Sequence, residues 1–199
     1  EQLAAEGNHQ ARAVQHARDA FSRSALLLQS FSENLFGTAD AVRFHRFLQD
    51  LVSELLRMER GSSRLVPGGW CLPPKSEGAP PVHVALLFVI HLHHDDTYSL
   101  AVCNSGKGSQ YHVCQPAEAS GELEKTLSYS LYDIPKSRVI DSSVWFLIFR
   151  QMVYPDKSNG PAALYEQLLP YLNQRPLLSN LQGFVGSNWK PLPISSDRD

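Results

Sequence analysis

Cysteine is scarce in this chain of 199 residues: Cys71, Cys103 and Cys114 are an odd number at spacings that make no disulfide framework. That argues against a small cystine-stapled scaffold and points to a reducing, intracellular setting, with the cytoplasm as the expected compartment. No CxxC pair and no Cys/His set at zinc-finger spacing occurs, so no metal or other cofactor is expected. Excess charge is lacking as well. A formal net charge of −2 and the absence of a Lys/Arg cluster give no general attraction for nucleic acid or an anionic membrane. The longest apolar run, Val84 to Ile90, is too short to span a bilayer. There is no Gly-rich phosphate loop: Gly106 and Gly108 follow an extended run but lead to another, not to a helix. The chain opens on Glu1, not on Met, which suggests a processed or excised chain, so a missing leader means little.

What is present is ordinary for a globular protein: 43% hydrophobic and 19% charged residues, and enough length for one domain, 1–199, with a sizeable core. Gln2 to about Phe31 reads as a helical extension, its apolar residues (Val14, Ala17, Phe21 and Leu28 among them) spaced mostly three, four or seven apart. Its length and Ala-rich face suit packing against a neighbour, including a second copy of the chain. Ser30 to Gly37 reads as a loop, and Thr38 as the N-cap of a second, central helix from about Ala39 to Met58. The broad stripe from Val42 to Leu56 predicts burial of that helix on more than one side.

Arg64 to Val66 reads as a short strand, Pro67-Gly68-Gly69-Trp70-Cys71 as a sharp turn, and Pro73 to Pro81 as a surface loop. Gln110 to Cys114 is expected to be extended, Glu118 to Ser128 a short helix, and Tyr129 to Pro135 extended. Asp141 or Ser142 caps an apolar helix, Val144 to Tyr154, ended by Pro155. Another helix, Ala162 to Asn173, starts behind Pro161 and is kinked or stopped by Pro170. Beyond Arg175, Phe184, Val185 and Trp189 are expected to tuck onto the body, and 190–199 is a tail. Helices, then an antiparallel sheet, then helices make the class α+β.

The central stretch, Pro81 to Val113, carries the chemistry. Two apolar runs, Val82 to Leu92 and Tyr98 to Asn104, flank a polar His93-His94-Asp95-Asp96-Thr97 segment and predict an antiparallel hairpin. Centring the turn on His93-His94 sets His83 directly across from Asn104, side chains on one face, Cβ atoms about 4.5–5.5 Å apart. A shift by an odd step would put them on opposite faces.

The segments HVALLFV, from His83, and YSLAVCNSGKG, through Asn104, resemble the second half of papain-like cysteine peptidases, in which a His opens one strand and an Asn followed by a glycine turn closes the next. The likeness covers Pro81 to Gly108. It implies a papain-like fold, His83 as general base and Asn104 as the group that orients the imidazole. The family's nucleophile is a Cys at the start of the central helix, where the dipole lowers its pKa. Here that stretch, FSENLFGTADAV, has no cysteine; its hydroxyls, Ser32 and Thr38, are far harder to ionise.

Three readings follow. The first is a catalytically inactive, papain-like pseudo-peptidase serving as a protein-binding or scaffolding module for a protein or peptide ligand. The second is an active thiol hydrolase, a peptidase or deubiquitinase-like enzyme, with Cys71 as nucleophile beside His83 and Asn104. The third is a purely structural domain of a larger protein. Cys103 and Cys114 read as core residues. His91, His93 and His94 with Asp95 and Asp96 have the composition of a metal site, but a hairpin turn calls for the same residues. His112 is placed either beside the His83–Asn104 pair or on the surface, and Trp70 either walls a cleft or fills the core.

Overall fold

The computed structural model describes residues 2–34, 40–116 and 123–174. Two helices come first, α1 (Gln2–Asn34) and α2 (Ala41–Leu56). The strands β1 (Ser63–Leu72), β2 (Val82–Leu92), β3 (Tyr98–Cys103), β4 (Cys114–Pro116), β5 (Leu123–Lys125) and β6 (Ser128–Ile134) follow. Then come α3 (Lys136–Val139), α4 (Ser142–Val153), a π-helical stretch (Ala163–Leu168) and α5 (Leu169–Asn173). The main sheet has the order β1-β2-β3-β6 and is antiparallel throughout, while β4 and β5 pair separately. The α+β class is therefore as the sequence predicts.

One contiguous core runs from Leu27 on α1 to Leu172 on α5. Residues of β2 alternate, with Leu86, Phe88, Ile90 and Leu92 buried in it and His83, Leu87, Val89 and His91 on the other face. Phe44, Phe47, Leu48, Leu51 and Leu55 of α2 recur at three and four residues and face the same core. That stripe is narrower than expected: Val42 and Leu56 are exposed. The cap of α2 is Asp40, whose Oδ1 accepts from the amides of Val42 (2.8 Å) and Arg43 (3.1 Å). The helix thus starts at Ala41, and Thr38 lies outside the described residues. Those hydrogen bonds hold the Asp40 carboxyl below the usual carboxylate range.

Helix α1 extends into the predicted Ser30–Gly37 loop, as far as Asn34, with Ser32 exposed on it. Its docked face is also not the one that apolar spacing suggests. Ala20, Ser24, Leu27, Ser30 and Asn34 are buried, whereas Val14 and Phe21 face solvent. The reason lies in the sheet. β1 is an edge strand, and an edge strand carries unpaired backbone groups. The Ser24 hydroxyl donates to Ala20 O (2.6 Å) and accepts from the amide of Leu65 (2.8 Å), so the helix supplies a partner to the edge. Ser24→Ala should therefore lower stability by about 1–3 kcal/mol in urea denaturation, because it leaves a buried amide unpaired. A cost near zero would mean that α1 does not lie on this edge.

Further along, the predicted turn Pro67 to Cys71 is the interior of one ten-residue strand, β1. Pro67 is tolerated because the strand is at an edge. The turn of the β2–β3 hairpin centres on Asp95, not on His93-His94: the His93 amide donates to Thr97 O (2.9 Å), and Asp96 takes the left-handed conformation (φ 65°). Ser109–Tyr111 is a 3-10 turn where extended chain is expected, and Leu123–Lys125, inside the predicted Glu118–Ser128 helix, is a strand. Pro170 does not stop its helix, which continues to Asn173. The preceding turns widen so that the Leu169 amide reaches back five residues to Leu164 O, and Pro170, without an N–H, sits in the first turn of α5. Phe184, Val185, Trp189 and the 190–199 tail lie outside the described residues.

Candidate functional site

Along β1 and β2 the ladder pairs Cys71 with His83, the last step but one before the strands part. The Cys71 Sγ lies 3.6 Å from His83 Nε2. Two of the three residues singled out by the sequence are thus brought together, across a strand pair that the sequence does not reveal. The β1 partner of β2 is fixed only if Pro67-Gly68-Gly69 is extended chain.

Asn104 is not part of that pair. Leu87 faces Cys103 in the β2–β3 ladder, so one further step brings Asn104 level with Leu86, three residues from His83. The difference is odd, and the two side chains take opposite faces. His83 is exposed beside Cys71, whereas Asn104 is buried and turned inward. Its Nδ2 donates to Lys107 O (2.9 Å) and to the Tyr165 hydroxyl (3.4 Å), and its Oδ1 accepts from the Gly106 amide (2.9 Å). An asparagine has two such donors, so no N–H is left over for an imidazole. The expected His83–Asn104 register is corrected accordingly; its cause is the turn centre at Asp95.

Cys71 also lacks what activates a thiol. It is 1% exposed, and burial pushes its pKa up. It sits inside a strand, not at a helix N-terminus, and its Sγ points at Leu72 O (3.8 Å). The loop after α4 clamps its backbone: Cys71 O accepts from Asn159 Nδ2 (2.8 Å) and from the Asp156 amide (3.4 Å). Cys103 and Cys114 are half-buried and free, and Cys103 stands on the face opposite Asn104, outside the main core. Trp70 is 1% exposed and belongs to the core.

His112 is neither beside His83 nor on the surface. It is buried next to Asn104 through a residue the sequence does not mark, Tyr165. The Tyr165 hydroxyl bonds to His112 Nε2 (2.8 Å), and His112 Nδ1 donates to Thr126 O (2.8 Å), which assigns the proton to Nδ1. Burial pushes the Tyr165 pKa up to about 12, so the phenol stays neutral. Tyr111 stacks on Tyr165 at 4.8 Å with nearly parallel rings, and its own hydroxyl donates to the Glu166 carboxylate. This network joins the turn after β3, the β4 region and the π-helical stretch. Asn104, His112 and Tyr165 are buried within it. The one sequence signal for Tyr165 is its place beside Leu164 on the face shared with Leu169 and Leu172.

At the other end of the hairpin His91 and His93 do project to one side, ring centroids 4.7 Å apart. Among the described residues, however, no group of three or more His, Cys, Asp or Glu side chains stands at metal-holding spacing. No described helix is long and apolar enough to cross a membrane. The fold and this geometry define an α+β domain with a buried thiol–imidazole contact and no assembled triad. No known protein family, curated protein or solved structure matches the chain.

Proposed function

We propose that this chain is a non-catalytic, papain-like domain that acts as a protein-binding or scaffolding module. The observation that carries the reading is the state of Cys71: a buried thiol with a raised pKa, beside a His83 that Asn104 does not orient. Thiolate is the nucleophile; burial opposes its formation, and Cys71 sits in a strand and not at a helix N-terminus that would favour it. The papain-like part rests on the order of elements, with a central helix first, His83 at the start of β2 and Asn104 directly after β3.

Binding is supported by apolar side chains left in solvent on α4, which is hydrophobic nearly all round. Phe146 (42% exposed), Leu147 and Tyr154 form its outer side. A helix of that kind is ordinarily covered. A second reading, a thiol hydrolase built on Cys71 and His83, is favoured by their 3.6 Å contact alone.

Iodoacetamide separates the two. On the folded protein at neutral pH, Cys71 should react no faster than an ordinary thiol, and slower than Cys103 and Cys114. Selective, rapid alkylation of Cys71 that is lost in His83→Ala would establish the hydrolase and overturn the proposal. For the binding role, a partner held by the intact domain should be lost on combining Phe146→Asp with Leu147→Asp, with the circular dichroism spectrum unchanged. If the intact domain holds no partner at all, it is purely structural.

A further inference from the structure

Four of the eight histidines gather where the middle of α1 passes the end of β2. His91 is the penultimate residue of β2, His93 and His94 follow it in the turn, and His16 comes from α1. Between helix and strand lies a cleft of about 390 Å³, lined by His16, Asp19, Arg23, Glu59, Arg60 and His91. The His94 ring lies against Gly61, where a methyl group would stand 3.2 Å from Cε1.

Two of the rings meet serine hydroxyls and each other. His91 Nδ1 is 2.9 Å from the Ser63 hydroxyl, His93 Nε2 is 3.0 Å from the Ser99 hydroxyl, and the two rings meet edge to face. Most of the charged groups around them are engaged elsewhere, although the Asp95 carboxylate also attracts His93. Glu59 pairs with Arg23 (3.1 Å) and Asp96 with Arg60. Asp95 accepts from the amide and hydroxyl of Thr97, and Asp19 accepts from Gln15 Nε2 (2.8 Å). No carboxylate among them is hydrogen-bonded to an imidazole.

We propose that His16, His91, His93 and His94 form a proton-operated latch that keeps the middle of α1 on the sheet edge near neutral pH and releases it on mild acidification. A proton on His91 puts charge on a ring that touches His93, lies near His94 and faces His16 of α1 across the cleft. Partial burial and the neighbouring histidines together pull the His91 pKa below its ordinary value. The sign follows directly. The docked form binds fewer protons than the released form, so docking is strongest above the ordinary histidine pKa of about 6.5 and weakens as pH falls through the window below it. Release withdraws the Ser24 hydroxyl from the Leu65 amide and uncovers the β1 edge, a template for a strand from a partner.

Amide hydrogen exchange, corrected for the intrinsic pH dependence, reads the latch at Leu65 and along α1 from His16 to Leu27. Between about pH 7.5 and pH 5.5, the range that spans histidine titration, protection should fall about tenfold in the native protein. In the double variant His16→Gln with His91→Gln the fall should shrink below about twofold, while His83→Gln, outside the cluster, leaves it intact. His16→Gln alone, at an exposed position, should remove part of the effect without endangering the fold. Protection that is unchanged or rises on acidification, as it would if Asp19 turned to pair with charged His91, overturns the proposal. So does a fall of equal size in native protein and double variant.

Discussion

Gly69→Ala is expected to destabilise the protein by about 3–5 kcal/mol, combining backbone strain with a clash in a packed strand pair. Gly69 has φ +143°, a conformation L side chains rarely adopt. A Cβ there would also stand 1.9 Å from Val84 O and 3.0 Å from Val84 C, both backbone atoms of the paired strand. No side chain can turn aside to make room, so β1 and β2 must separate locally, and with them the Cys71–His83 contact. Gly68 offers a graded comparison. Its added Cβ would meet the Phe88 ring at 2.1 Å, and a ring can shift, so Gly68→Ala should cost about 1–3 kcal/mol. Urea denaturation of both variants gives the order. A cost below about 1 kcal/mol at Gly69 would mean that β1 and β2 are not paired in this register.

Trp145→Ala should cost a similar amount, about 3–5 kcal/mol, by a different route. Trp145 is fully buried at the centre of the core, stacked on Phe149 (6.0 Å between ring centroids) and edge-on to Phe88 (6.4 Å). It therefore joins α4 to the sheet. Its Nε1–H donates to Val139 O at 2.6 Å, which ties α3 to α4. Truncation leaves both a cavity and an unpaired buried carbonyl. Trp145→Phe keeps most of the volume and loses the hydrogen bond, so its cost should fall to about 1–3 kcal/mol. Denaturant midpoints together with the near-ultraviolet aromatic signal check both. Equal losses for Ala and Phe would place the whole effect in the hydrogen bond and none in the packing.

Periodicity carried most of the architecture. The helix from Ala41, the apolar α4 and the β2–β3 hairpin are legible because each has a repeat of 3.6 or 2 and a polar or capping boundary. Elements whose partners lie far along the chain were not legible. β1 reads as a turn because Pro and Gly are turn residues locally; it is a strand because Val84 and Phe88 need a neighbour whose backbone can approach that closely. The docking face of α1 was likewise hidden. Its apolar residues predict one side, but an edge-strand amide selected the side bearing Ser24.

The candidate site divides in the same way. His83, Asn104 and Cys71 could be nominated from residue type and order, but which of them meet depends on register, and register depends on where a turn centres. A centre at Asp95 instead of His93-His94 is enough to send Asn104 inward to Tyr165, while the separate β1–β2 register sets His83 opposite Cys71. The sequence by itself determined the α+β class, the hairpin, and the absence of a cysteine at the start of the central helix. Only the tertiary structure decided that the thiol is buried, that the histidine and asparagine part company, and that His16 of α1 and His91 of β2 line one cleft. Local periodicity is written into neighbouring residues, whereas register and burial are set by contacts between residues far apart in the chain.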